Sequence, residues 1–262
     1  MDKSATLGFK FILGRGRSKY VIVYDTMIAV VFLTRSPHRA MLEFIPQMER
    51  DGYDLYVCAD DMISGPFLQY TSRECEEAGY KNALLPWHIS RPSAWEKALY
   101  HFCEKDTKYR HVWFIEEDVL ITSADILYKM DQQYPETDVL SESHIVVTKY
   151  KRDWHWQLAH NIIDFPWAKS MMCACRLSKR MLQVVREYVK KHGTLLYHEF
   201  MFNTLAMHHG LAVDTPDELN GITYQYKWGL DEMEPGLLYH PVKDVGLHPL
   251  LRKLIHSSRP CT

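Results

Sequence analysis

The sequence predicts one α/β domain built on a mainly parallel sheet flanked by helices, and three observations carry that prediction. Apolar runs of strand length recur at Met27 to Leu33, Tyr53 to Ala59 and Val112 to Ile115, with helix-patterned segments between them. Each run ends in polar residues: Thr34 and Arg35, Asp60 and Asp61, then Glu116, Glu117 and Asp118. Parallel α/β sheets bind ligands at the carboxyl ends of their strands, so three such ends together predict a site at one edge.

The chain divides into an N-terminal arm over 1–26, a first half over 27–122 and a second half over 123–262. The arm combines Gly8, Gly14 and Gly16 with Lys3, Lys10, Arg15, Arg17 and Lys19, which reads as loosely held. After the first strand, Ser36 as N-cap and Pro37 at the first turn predict a helix carrying Met41, Leu42, Ile45 and Met48 on one face. Pro46 predicts a kink in it, and Gly52 its end. A helix is expected over 67–78, stopped by Gly79. Ser93 and Glu96 form a capping box, followed at helical spacing by Trp95, Ala98, Leu99 and Phe102. That helix leads into the strand ending at Glu116.

The second half is less regular. Ser123 is expected to cap a short helix to about Gln133, and Val139 to Val147 reads as one or two strands. The Trp-rich stretch from Trp154 to Trp167 reads as loop. Ser178 caps a helix with Met181, Leu182, Val185, Tyr188 and Val189 on one face, closed by Gly193. Another helix is expected from Tyr197 to His209. Beyond Val213 the pattern is mainly turns, with Leu237 to Pro241 as the last defined element.

At 262 residues the chain can bury a substantial core, and a formal charge of −2 gives no reason to expect nucleic acid as a partner. Six cysteines at 58, 75, 103, 173, 175 and 261 fit no zinc spacing; Cys173 and Cys175 are too close for an ordinary disulfide. Reduced thiols and a cytoplasmic location are the expectation. The longest apolar run, Met27 to Leu33, is far short of the ~20 residues a membrane span needs, so no span is expected.

Glu116 and Asp118 stand two apart, which in extended backbone turns both to one face and lets them hold one hard divalent cation, with Glu117 turned elsewhere. The competing reading is a strand end whose acids are merely solvated. Gly14 and Gly16 precede a strand rather than follow one, so they make neither a dinucleotide fingerprint nor a P-loop. His198 and Glu199 open like a zinc-protease helix, but Phe202 stands where the second histidine is required. What remains is a carboxylate site in which a cation, Mn2+ or Mg2+, neutralises a diphosphate in place of backbone amides.

The order of these motifs, including Trp95 to Ala98 and the run Val112 to Val119, resembles the nucleotide-sugar-binding half of GT-A glycosyltransferases. It is most similar in flavour to the algal and chlorella-virus branch, whose xylosyltransferases act on capsid glycans. The resemblance implies a Rossmann-like sheet, mixed but mainly parallel, with 27–122 binding the donor and 123–262 the acceptor. Glu116 and Asp118 then stand for the acidic metal motif, departing from its usual first Asp, and His240 for the C-terminal histidine completing the metal site. Glu199 falls where inverting members carry the catalytic carboxylate. Thr34, Asp60 and Asp61 are expected on uracil and ribose, with Glu117 beside them, and Arg35, Arg91 and Lys97 are cations available to the diphosphate.

The function so implied is transfer of a sugar from a UDP-sugar, UDP-xylose included, to a glycan or glycoprotein hydroxyl, in a host cytoplasm if the chain is viral. A place near a helix N-terminus would lower the pKa of Glu199 unless burial offsets it. Two other classes stay open at this point: a nucleotidyltransferase, which normally needs a glycine-rich phosphate loop, and a non-enzymatic glycan-binding module. His155, His160, His198, His208 and His209 read as structural or solvated, and Trp95 as core. Trp154, Trp156, Trp167 and Trp228 can stack on sugars or simply pack.

Overall fold

The computed structural model describes residues 27–61, 64–85, 91–224 and 226–257. The expected arm over 1–26 and Cys261 lie outside the described residues. The first strand, β1 (Ile28–Thr34), is buried along its whole length, and pairs in parallel with β2 (Tyr53–Ala59) on one side and β3 (His111–Glu116) on the other. A strand buried on both faces reads as an unbroken apolar run, which is why this part was legible.

The helices between them follow the predicted order with shifted ends. Helix α1 (Arg39–Phe44) starts two residues late, because the His38 ring accepts from the Ala40 amide at 3.1 Å and takes the cap expected of Ser36. The kink at Pro46 is realised as a change to a 3-10 turn, Ile45–Met48. Helix α2 (Ser72–Glu77) is shorter than expected. Thr71 and Glu74 form a capping box at its start, and Leu68 is instead bridged in parallel to Cys58 on β2. Gly79 ends it at φ 86°, where a Cβ would meet Val189 Cγ1 at 2.9 Å, so this stop is required twice over. Helix α3 (Ala94–Tyr100) carries the predicted capping box at Ser93 and Glu96.

After β3 come β4 (Leu120–Ile121), α4 (Ile126–Gln133), β5 (Val139–Leu140), β6 (Ile145–Val147), β7 (Trp167–Lys169) and β8 (Ala174–Ser178). Asp125 rather than Ser123 takes the N-cap position of α4, without a side-chain capping bond, and the Ser123 hydroxyl donates to the Asp125 carboxylate. Helix α5 (Lys179–His192) has its Ser178 cap, with Ser178 Oγ 3.1 Å from the Met181 amide, and α6 (His198–His208) matches the expected span. Then follow β9 (Val213–Asp214), β10 (Gly221–Ile222), β11 (Leu238–His240) and α7 (His248–Ser257). Helix α7 corrects the expectation that the chain ends in turns after Pro241.

The result is a mixed α/β domain whose six-stranded sheet runs β2-β1-β3-β8-β5-β9, mainly parallel and flanked by helices. Strand β8 is antiparallel to both neighbours and was not foreseen. It is buried throughout and carries Arg176 at its centre, so it shows neither alternation nor an unbroken apolar run. The charge is tolerated because Arg176 Nη1 lies 2.5 Å from Asp131 Oδ1, and Asp131 also accepts from Trp113 and Tyr53. Alternate residues of β1 and β3 face opposite cores. Val31, Leu33 and Phe114 pack under α3, α5 and α6; Val30, Phe32, Trp113 and Ile115 pack under α1 and α4. Among the described residues no helix is long and apolar enough to cross a membrane.

Candidate functional site

Three pairings draw distant residues to the carboxyl end of β3. Ile115 pairs with Ala174 of β8, so the Glu116 amide donates to the Cys173 carbonyl at 2.8 Å and brings Cys173 alongside. Leu120 of β4 pairs with Tyr239 of β11, and the Val242 amide reaches the Asp118 carbonyl at 2.8 Å, which lays His240 and Lys243 against Asp118. The Ser170 amide donates to the Glu199 carbonyl at 3.0 Å and ties the start of α6 to the same edge.

The strand stops at Glu116, and Glu117 and Asp118 lie in the turn that follows. The two-residue alternation expected to align Glu116 with Asp118 therefore does not operate, yet all three acids line one cavity. Glu117 is not turned away: it accepts from the Thr34 hydroxyl inside that cavity. Glu116 is held by Trp95, whose Nε1 donates to Oε1 at 2.7 Å, and by the Cys173 thiol. Asp118 Oδ2 accepts from the Lys243 ammonium and lies 3.5 Å from His240 Nε2. His240 Nδ1 is 2.7 Å from the Thr223 carbonyl, a bond it makes only as a donor. Nε2 is thus the nitrogen turned to the carboxylates, and unless a cation or proton stands between them, two acceptors face each other.

The electrostatics follow from that crowding. Burial and the Asp118 charge push Glu116 above the usual carboxylate range; its carboxyl is enclosed although the residue as a whole is half-buried. Burial pushes Asp118 up too, but the His240 and Lys243 bonds outweigh it and hold it at about 2. Burial pulls His240 down, and Asp118 more than restores it, leaving the imidazole above its ordinary value.

These groups fit a hard divalent cation. Ligand atoms of Glu116, Cys173 and His240 lie within 4.8 Å of one another, and Asp118 adjoins His240. Burial pushes the Cys173 thiol well above its usual range, and the thiol donates to Glu116. Bonded in this way the thiol supports the Glu116 carboxylate, and the two carboxylates and the imidazole beside it are donors that suit Mn2+ or Mg2+. Among the described residues Cys58, Cys75, Cys103, Cys173 and Cys175 are all free and buried.

Two cavities meet here. The smaller, about 360 Å³, is lined by Thr34, Arg35, Asp60 and the three acids; the larger, about 1050 Å³, holds Glu199, Tyr197 and His240, and both share Glu116 and Lys243. Asp60 lies in the smaller cavity with Oδ1 2.6 Å from the Ala94 amide, capping α3 from outside. Arg35 lies exposed at its rim.

Three expected donor contacts are corrected. Lys97 is 3% exposed and its ammonium is given to the Asp60 carbonyl, with that of Ala59 3.4 Å away, so it braces the end of β2 instead of facing a diphosphate. Asp61 and Arg91 are ion-paired at 2.5 Å with both side chains about half exposed, and neither lines the cavity.

Glu199 is the second residue of α6, where the dipole favours its charge, yet burial overrides the dipole. Burial, opposed by the Tyr197 hydroxyl bond, reinforced by Glu116 and opposed by Lys169 and His240, carries it to about 7. The ammonium of Lys169 stands 4.7 Å from the Trp154 ring centroid and 5.8 Å from that of Trp156, which gives these indoles a use other than sugar stacking.

Trp95, Cys173, Tyr197 and Lys243 were not read as site residues. Trp95 is core, as expected, but its N–H end serves Glu116. Tyr197 and Lys243 stand two and three positions from Glu199 and His240 in sequence, and that proximity was the only available signal. Cys173 reaches the site through β8, which no local pattern announced. His198 is structural as expected: its ring stacks 4.5 Å from Trp95, its Nδ1 is 2.7 Å from the Ala83 carbonyl, and burial lowers it to about 4. No protein-family model and no curated protein matches the chain.

Proposed function

We propose that the chain is a metal-dependent glycosyltransferase of the GT-A type that moves a sugar from a UDP-sugar to an acceptor hydroxyl with inversion. One observation carries the reading: a carboxylate–histidine cluster at a strand end lies between two cavities, and the larger contains a buried carboxylate poised near neutrality. A general base works best when its pKa is near the working pH, and Glu199 meets that condition. The absence of a glycine-rich loop favours this reading over nucleotidyl transfer.

Glu116, Asp118 and His240 would hold the cation, which supplies positive charge to the departing diphosphate. Thr34, Arg35, Asp60 and Glu117 line the donor cavity, where carboxylates suit ribose hydroxyls and Arg35 suits phosphate. Lys243 lines both cavities and its side chain is 76% exposed, so it can leave Asp118 for the diphosphate once another cation satisfies that carboxylate. In the transfer, the acceptor oxygen bonds to the anomeric carbon and its proton passes to the Glu199 carboxylate. The bond from that carbon to the diphosphate breaks, and its electron pair leaves with UDP. Tyr197 and Lys169 orient and steady Glu199 throughout.

Calorimetry of UDP with and without Mn2+ tests the donor half. Binding is expected only with Mn2+ and is expected to weaken at least about 100-fold in Asp118→Ala. Equal UDP binding without metal, or in Asp118→Ala, overturns the metal role; no UDP binding under any condition overturns the reading. A screen of UDP-sugars, UDP-xylose first, with the product anomer followed by NMR then tests inversion.

A further inference from the structure

The cavity that contains Glu199 is much more apolar than a hydroxyl donor alone requires. Met171, Trp228, Met233, Leu247 and Leu251 line it together with Pro241. Its mouth is apolar as well: Tyr224 is 70% and Leu247 46% exposed, and both belong to the lining. From Leu247 the apolar surface continues outward along α7. Residues 247, 250, 251 and 254 share one helical face, and Leu250 and Leu254 remain exposed while Ile255 and His248 take the inward side. Tyr226 and Trp228 rings lie 4.7 Å apart, and Trp228 and Leu251 pack on the same core cluster, so rim and lining are continuous.

Exposed leucines and aromatics around one opening are costly in water unless something apolar covers them. A second copy of the chain seated there would cover this mouth and bar an acceptor from reaching Glu199 through it. An acceptor that is itself apolar at one end both covers the lining and leaves its hydroxyl at Glu199. The geometry points to an amphiphilic acceptor: a hydroxyl-bearing, sugar-like head at Glu199 with an alkyl or aryl portion lying between Trp228, Met171, Leu247 and Leu251. The inference rests on the transferase reading for the role of Glu199, while the affinity for an apolar tail rests on the cavity alone.

Saturation-transfer NMR with methyl glucoside and octyl glucoside, the latter below its micelle concentration, tests it on the full chain. Octyl glucoside is expected to bind at least about tenfold more tightly than methyl glucoside, since each buried methylene adds affinity. Leu247→Asp is expected to abolish that advantage and Leu247→Met to keep it, with circular dichroism confirming that both fold. Flotation with phosphatidylcholine vesicles carrying dodecyl glucoside separates the sources. Flotation that is lost in Leu250→Asp means the acceptor is taken from a bilayer, and binding of the free amphiphile without flotation means it is taken from solution; both support the inference. Equal binding of the two glucosides, or an octyl advantage that survives Leu247→Asp, overturns it in favour of a plain glycan acceptor. UDP binding with Mn2+ is read in parallel: if UDP binds and the octyl advantage is missing, only the acceptor inference fails. If UDP does not bind but the octyl advantage is present, the transferase reading fails and the apolar site stands.

Discussion

Replacing Glu199 by Gln separates the cost of the candidate base from its use. The carboxyl's ordinary value is 4.5 and the folded protein holds it at about 7, chiefly by burial. A raised acid binds its proton more tightly in the folded state. The stability this contributes is complete below about pH 4.5 and is lost as pH rises through about 7. At about pH 8 the difference corresponds to a penalty of about 3 kcal/mol for keeping Glu199 ionised. Gln keeps the shape, still accepts from the Tyr197 hydroxyl and never ionises. Urea unfolding without metal is therefore expected to show Glu199→Gln matching the native chain near pH 4 and exceeding it by up to about 3 kcal/mol near pH 8. In the same variant the turnover of sugar transfer is expected to fall by about 100- to 10,000-fold. Parallel stability–pH curves for the two proteins would refute the buried, raised carboxylate. Transfer within about tenfold of native would refute its role as base.

Other expectations follow from individual contacts. Trp95→Phe keeps an aromatic ring and removes the N–H bonded to Glu116, so Mn2+ affinity measured by calorimetry should drop about 10- to 100-fold; the smaller ring also leaves space in a buried stack with Phe114 and His198, so the melting temperature should fall as well. Lys97→Met should lower unfolding free energy by about 1–3 kcal/mol, because two carbonyls at the end of β2 lose their buried donor, while UDP affinity stays within about threefold. A large loss of UDP binding there would restore Lys97 to the donor site. Arg176→Met should cost about 3–5 kcal/mol in urea unfolding by leaving Asp131 buried with its charge unpaired, and a neutral result would show that Asp131 takes up a proton instead.

What the chain announced by itself was the parallel core and the acidic strand end. β1 and β3 are continuous apolar runs because both faces are covered, the capping boxes are local hydrogen-bonding signals, and Gly79 and Gly193 mark helix ends through backbone conformation. Each depends on residues within a few positions of one another, so each survives in one dimension. Thr34, Arg35, Asp60 and the three acids share a cavity for the same reason, since strands paired in register place their ends together.

The tertiary structure decided everything that needed two distant segments. Strand β8, with a neutralised arginine at its centre, delivers Cys173 to Glu116, and the β4–β11 pairing lays His240 and Lys243 on Asp118. Tertiary packing also reversed a local expectation. The helix start favours an ionised Glu199, but the walls closing around it raise its pKa, because desolvation acts on the whole enclosed charge and the dipole on only a fraction of one. Lys97 shows the same limit from the other side. The resemblance offered it to a diphosphate, and only packing determined that its ammonium turns to the backbone rather than to the cavity.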